Sequence, residues 1–87
     1  MNYILLKEYI NNLSKDKFIE ITKKNNIYLN NKEIDILYIY IKEKYLEFIK
    51  NPNIIINEIK DKITNENYFK LLNIYNQYKD KIRSYFP

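Results

Sequence analysis

Apolar side chains recur at steps of three and four along most of this chain, and the breaks between the runs fall at asparagines. Asn pairs stand at 11–12, 25–26 and 30–31, and "KNPN" covers 50–53. Asn tolerates the left-handed backbone conformation that ends helices, so it punctuates here as Gly does elsewhere. The pattern predicts helices and no strands.

Three of the predicted helices open with the same local device. Ser14, Asn30 and Thr64 are suited to accept a hydrogen bond from the first turn of a helix. Each is preceded by an apolar residue and followed four positions later by another: Leu13 and Phe18, Leu29 and Ile34, Ile63 and Tyr68. These are hydrophobic staples, and Glu33, three residues after Asn30, completes a capping box. The segment from about 52 begins with Asn51 as a capping residue and Pro52 at the first helical position. Inward positions read as Leu6, Ile10 and Leu13 with Leu5 and Tyr9 in the first segment, Phe18 and Ile21 in the second, and Ile55, Ile56, Ile59 and Ile63 in the fourth. In the last they are Tyr68, Leu71, Leu72, Tyr75, then Tyr78 or Lys79, and Ile82. Glu20–Lys24, Glu58–Lys62 and Glu66–Lys70 have the i,i+4 order that favours a helix surface.

The most apolar stretch, "EIDILYIYIKEKYLEFI" at 33–49, has Ile34, Leu37, Tyr38, Ile41, Tyr45, Phe48 and Ile49 at helical spacing over four turns, too long for an ordinary strand. The expected fold is therefore all-α, one domain over 1–87, a compact bundle of four to five short helices around a central helix at about 31–50. Ile39 and Leu46 lie on one flank of that helix, and Ile36 and Tyr40 fall near Glu43 and Glu47. Either the other helices cover Ile36 and Tyr40, or these residues form a docking or dimer patch.

Composition narrows the function classes. Gly, Ala, Val, His, Cys and Trp are absent, while Ile, Asn, Lys and Tyr dominate. That skew follows A/T-rich codons, so the many Lys and Asn carry little functional meaning. Without Gly there is no phosphate-cradling P-loop or dinucleotide loop. Without His and Cys the usual nucleophile triads and zinc sites are excluded. Glu43 and Glu47 share a helix face, but a dimetal site would add His ligands, and the neighbouring Lys42, Lys44 and Lys50 make a solvated face the simpler reading. No enzyme, cofactor, metal or small-molecule ligand is expected. The absence of Cys fits a cytoplasmic protein. The opening run "MNYILLKEYI" does not read as a signal peptide, because Lys7 and Glu8 interrupt it, and no stretch is long enough to span a membrane.

Two kinds of binding remain. The net charge is +4, with the excess in 14–29 and 64–87. Lys15, Lys23 and Lys24 with Lys79 and Arg83 could contact phosphates if these ends meet, and Tyr28, Tyr78 and Tyr85 could stack on bases. A single Arg, with Asp16, Glu20 and Asp80 among the lysines, weakens that reading. A protein-interaction or regulatory module, with a protein partner or a second copy of the chain, is the preferred one. Ten Tyr exceed what so small a core can satisfy, and Ile36, Tyr40, Tyr75 and Tyr85 are the candidate partner patch.

The order "INNLSKDKFIEITKKNNIYLNNKEIDILYIYI", then "IINEIKDKITNENYFKLLNIYNQY", resembles the YqfT-like family of small, uncharacterised bacterial proteins. The "LSKDKF…ITKKNNIYLNNKE" junction and the "EIKDKIT" step before a last helix carry the likeness, over most of the chain. These positions are caps and apolar spacing. Ile34 and Asp35 stand where such proteins have Ala and Gln, and "KNPN" differs from the family linker. The resemblance implies an all-helical fold, no established activity, and no catalytic or ligand residues.

Overall fold

The structure, a computed structural model, describes the backbone of residues 3–85 and the side chains of 4–80. Its helices are α1 (Tyr3–Asn12), α2 (Lys15–Lys24), α3 (Asn31–Lys50), α4 (Pro52–Lys60) and α5 (Asn65–Tyr85), with no strand among the described residues. The fold is all-α. The radius of gyration, 12.7 Å, is close to the ~12 Å expected of a compact chain of this length.

The caps act as the spacing predicts. Ser14 Oγ accepts from the Lys17 N–H at 3.0 Å. Asn30 Oδ1 accepts from the Glu33 N–H at 2.9 Å, and Glu33 Oε1 accepts from the Asn30 N–H at 3.0 Å, closing the capping box. The Thr64 carbonyl accepts the Tyr68 N–H at 2.9 Å, which makes Thr64 the N-cap of α5. At the end of α2, Asn26 takes φ 62°. The Asn26 N–H then reaches the Lys23 carbonyl at 3.0 Å and the Ile27 N–H reaches the Thr22 carbonyl at 2.9 Å, the two bonds of a Schellman turn. Ile27, turned inward by it, is the most deeply buried large side chain described.

The staples build the core. Leu13, Phe18, Ile34, Ile63 and Tyr68 are five of the seven buried residues of the central cluster, joined by Leu37 and Ile56. Each staple brings one loop residue and one first-turn residue inward together. Three helix starts therefore converge on one apolar centre, with α3 at the middle. α3 lies close to α1, α2 and α4, and α4 to α5. Side chains tie α5 to α3: Tyr75 meets Phe48 edge-on with ring centroids 5.6 Å apart.

Several expectations need correction. In α1, Ile10 is buried and Leu6 half-buried, but Leu5 and Tyr9 are exposed. Among the described residues this helix packs closely on α3 alone, which leaves these two side chains uncovered. Asn51 makes no side-chain cap, and Pro52 alone shapes the start of α4. The Glu58–Lys62 pair does not form. Helix α4 ends at Lys60, so Lys62 is not one turn beyond Glu58, and Glu58 bonds Tyr40 and Lys44 of α3 instead. Tyr78 lies outward and Lys79 is half-buried. The side chains of Ile82, Arg83 and Tyr85 lie outside the described residues.

Helix α3 bends at Lys44, where φ is −122° and ψ 15°. No Pro or Gly causes this. The bend coincides with Lys44 reaching across to Glu58 at 3.5 Å while its ammonium lies 5.2 Å from the centroid of the Tyr40 ring.

Candidate functional site

Ile36 and Tyr40 are half-buried, covered in part by α4 and the turn after it. The Tyr40 hydroxyl donates to Glu58 Oε2 at 3.1 Å. Partial burial, then the bond to Glu58 and that carboxylate's charge, push the Tyr40 hydroxyl above its ordinary pKa. The Glu58 charge likewise raises the Lys44 ammonium. Tyr40 is thus a neutral hydrogen-bond donor engaged within the chain. With Ile36, Ile39, Lys32, Asp61 and Lys62 it lines an open groove of about 420 Å³ between α3 and the turn after α4. Tyr75 belongs to the margin of the core, against Phe48.

The exposed apolar residues of α3 are Ile39, at 54%, and Leu46, at 41%. They stand seven residues apart, one on each side of the bend at Lys44. Leu46 opens onto a second groove, also about 420 Å³, lined by Ile4 and Lys7 of α1 and by Tyr45, Leu46 and Lys50 of α3. The spacing of Ile39 and Leu46 was visible in the sequence. What it did not carry is that α4 would shelter Ile36 and Tyr40 while no helix would close over Ile39 and Leu46. That choice is a long-range one, made by Glu58 meeting Tyr40.

The lysines proposed for phosphate contact are scattered. Lys15 pairs with Asp35 at 2.6 Å, and its hydrogen bond to that carboxylate raises its pKa. Lys24 pairs with Glu20 at 3.2 Å, and Lys17 with the same carboxylate at 3.6 Å. The Lys24 hydrogen bond and the Lys17 charge hold Glu20 below its ordinary pKa. Lys23 and Lys24 occupy the last turn of α2, where cations favour the helix dipole. Lys15 is at the other end, about 12 Å away at 1.5 Å per residue. Helix α5 touches the α2 turn through Lys70, which donates to the Asn26 carbonyl at 3.2 Å, and Lys79 lies about 13 Å further along α5 by the same rise. Two paired lysines and two separated ends do not make one focused patch.

The sequence places Lys42 on a solvated face, but the structure half-buries it against α1. Its ammonium donates to the Ile10 and Asn11 carbonyls at 2.7 and 2.9 Å, at the C-terminal end of α1. Among the described residues no three acidic side chains converge as a metal site requires, and no helix is long and apolar enough to cross a membrane. The chain matches no family model, no curated protein and no solved structure.

Proposed function

We propose that this chain is a small, non-enzymatic protein-interaction module that works in the cytoplasm. The observation that carries the reading is the pair Ile39 and Leu46 on α3, each exposed and each lining a groove, in a molecule whose other α3 apolar positions are at least half-covered. Exposed apolar side chains grouped this way are characteristic of docking surfaces. The polar groups that could do chemistry are occupied in holding helices together: Glu33 at two helix starts, Glu58 on Tyr40, Lys42 on α1. The lack of Cys fits the proposed compartment, and the resemblance to the YqfT-like family fits a bacterial helical protein without catalytic residues.

Weak nucleic-acid binding has less support, because Lys15 and Lys24 are already paired. Capture from native lysate with cross-linking, run with and without nuclease, separates the two. The expected result is nuclease-insensitive capture of a protein cross-linked beside Ile39 or Leu46. Capture only in the absence of nuclease would sink the interaction reading.

A further inference from the structure

We infer that the groove between α1 and α3 receives an acidic amphipathic helix from another protein. This inference rests on the interaction-module reading and names the partner's chemistry.

The groove has an apolar floor from Ile4, Tyr45 and Leu46, and its polar lining consists of Lys7 and Lys50. Neither lysine has an ion-pair partner among the described residues. Among the described residues no carboxylate lines the groove. An apolar trough edged by two cations with no ion-pair partner among the described residues is complementary to a helix with an apolar stripe and Asp or Glu beside it. The other groove carries Asp61 together with Lys32 and Lys62, and Glu43 lies on α3 one turn from both Ile39 and Leu46. The cation-only edge is confined to the α1/α3 end.

Other occupants fit less well. A second copy docked about a two-fold axis would bring the same patch to both sides, setting Lys7 and Lys50 against their own counterparts. A lipid surface is flat and takes up a broad face of protruding apolar side chains, whereas in this lining only Ile4 and Leu46 protrude and Tyr45 is half-buried in the floor. An extended peptide adding to a sheet has no strand to join among the described residues.

The test is titration of the 15N-labelled full chain, followed by amide shifts. Two synthetic helical peptides serve as probes, with Leu at i, i+3, i+4 and i+7, flanked in one by Glu and in the other by Lys. The Glu peptide should bind at least about tenfold tighter, shift Lys7, Tyr45, Leu46 and Lys50, and lose affinity as salt rises. Leu46→Glu should abolish binding, and the double variant Lys7→Glu/Lys50→Glu should reverse the peptide preference, both with unchanged far-ultraviolet circular dichroism. Equal affinity for the two peptides would overturn the assignment. So would binding to phosphatidylserine vesicles without binding to the peptide, or self-association that Leu46→Glu removes. Shifts confined to Ile36, Ile39 and Lys62 would overturn this groove but leave the interaction module standing. No peptide binding together with purely nuclease-sensitive capture would overturn both.

Discussion

Glu33 Oε2 accepts two hydrogen bonds from Thr64, one from its backbone N–H at 2.8 Å and one from its hydroxyl at 3.2 Å. Thr64 is the N-cap of α5, and Glu33 is the third residue of α3. In a capping box the N3 side chain of a helix bonds back to its own N-cap. Helix α5 has Asn67 at that position, and its amide bonds Glu33 Oε1 at 2.9 Å instead. Glu33 therefore closes the box of α3 through Asn30 and does the same service for α5 through Thr64. One carboxylate, 2% exposed, sits at the positive ends of two helix dipoles.

Removing it should be the most damaging polar substitution in the chain. Glu33→Ala leaves the N–H groups of Asn30 and Thr64 and the Thr64 hydroxyl without their acceptor and leaves the Asn67 amide only the Tyr28 carbonyl, at a cost of roughly 3 kcal/mol. Glu33→Gln keeps one acceptor oxygen but turns an NH₂ toward Thr64, so about half that loss is expected on the same grounds. Urea denaturation measures both. The exposed Glu43→Ala serves as control and should stay within about 0.5 kcal/mol of the parent.

The same carboxylate predicts an acid limb. Burial pushes the Glu33 pKa up, but the N–H groups of Asn30 and Thr64, with the Asn67 amide and Thr64 hydroxyl, outweigh it and hold the carboxyl below its ordinary value of 4.5. A carboxyl whose folded pKa is depressed binds its proton more readily when unfolded. Its contribution is fully present above the unfolded value, about 4.3, and is lost as pH falls through the folded value. Urea midpoints should be flat with respect to this group from neutrality to about pH 5 and decline below. Glu33→Gln should start lower and decline less. Glu20 is also depressed, by Lys24 and Lys17, but it is exposed and screened, so Glu20→Gln should leave the shape of the curve nearly unchanged.

Much of this fold was legible because its devices are local. Ser14, Asn30 and Thr64 with their staples each span a few residues, and an N-cap followed by paired apolar positions announces itself in sequence. The second task of Glu33 was not legible, since Thr64 lies 31 residues away and no periodicity links them. The same holds for Glu58, whose i,i+4 spacing pointed to Lys62 while the end of α4 at Lys60 left it to Tyr40 and Lys44. The exposed positions of α3, Ile39 and Leu46, were half legible. The stretch was visibly richer in apolar residues than one buried face needs, but which flank stays open depends on where α4 lies.

Helix α1 should be the first element to open. Among the described residues it packs closely on α3 alone, and the Lys42 ammonium holds its last carbonyls while the Tyr38 hydroxyl bonds the Leu13 carbonyl at 2.7 Å. Lys42 also lies 5.5 Å from the Tyr38 ring centroid. Lys42→Met keeps the aliphatic stem and removes the charge at the negative end of the helix. The expected cost is about 1 kcal/mol. Hydrogen exchange is the more telling measurement: α1 amides should exchange faster, and those of α3 and α5 should not. Uniform acceleration across the chain would mean that α1 unfolds only with the whole molecule.

Asn26 offers the reverse case, a position where substitution should help. It holds φ 62° in the turn that buries Ile27, a conformation that costs an ordinary L-residue roughly 1–2 kcal/mol. Asn tolerates it better than most, and Gly tolerates it without steric cost, yet this chain contains no Gly. Asn26→Gly should therefore be neutral or stabilising by up to about 1 kcal/mol, the relief at positive φ being partly offset by the greater freedom of Gly in the unfolded chain. Asn26→Ala should destabilise by about 1 kcal/mol, which in a domain of this size lowers Tm by roughly 4–8 °C. Thermal unfolding of the three proteins orders them. If Ala proved as stable as Asn, the turn after Lys24 would not be under left-handed constraint, and the burial of Ile27 would have to rest on its apolar contacts rather than on the turn that delivers it.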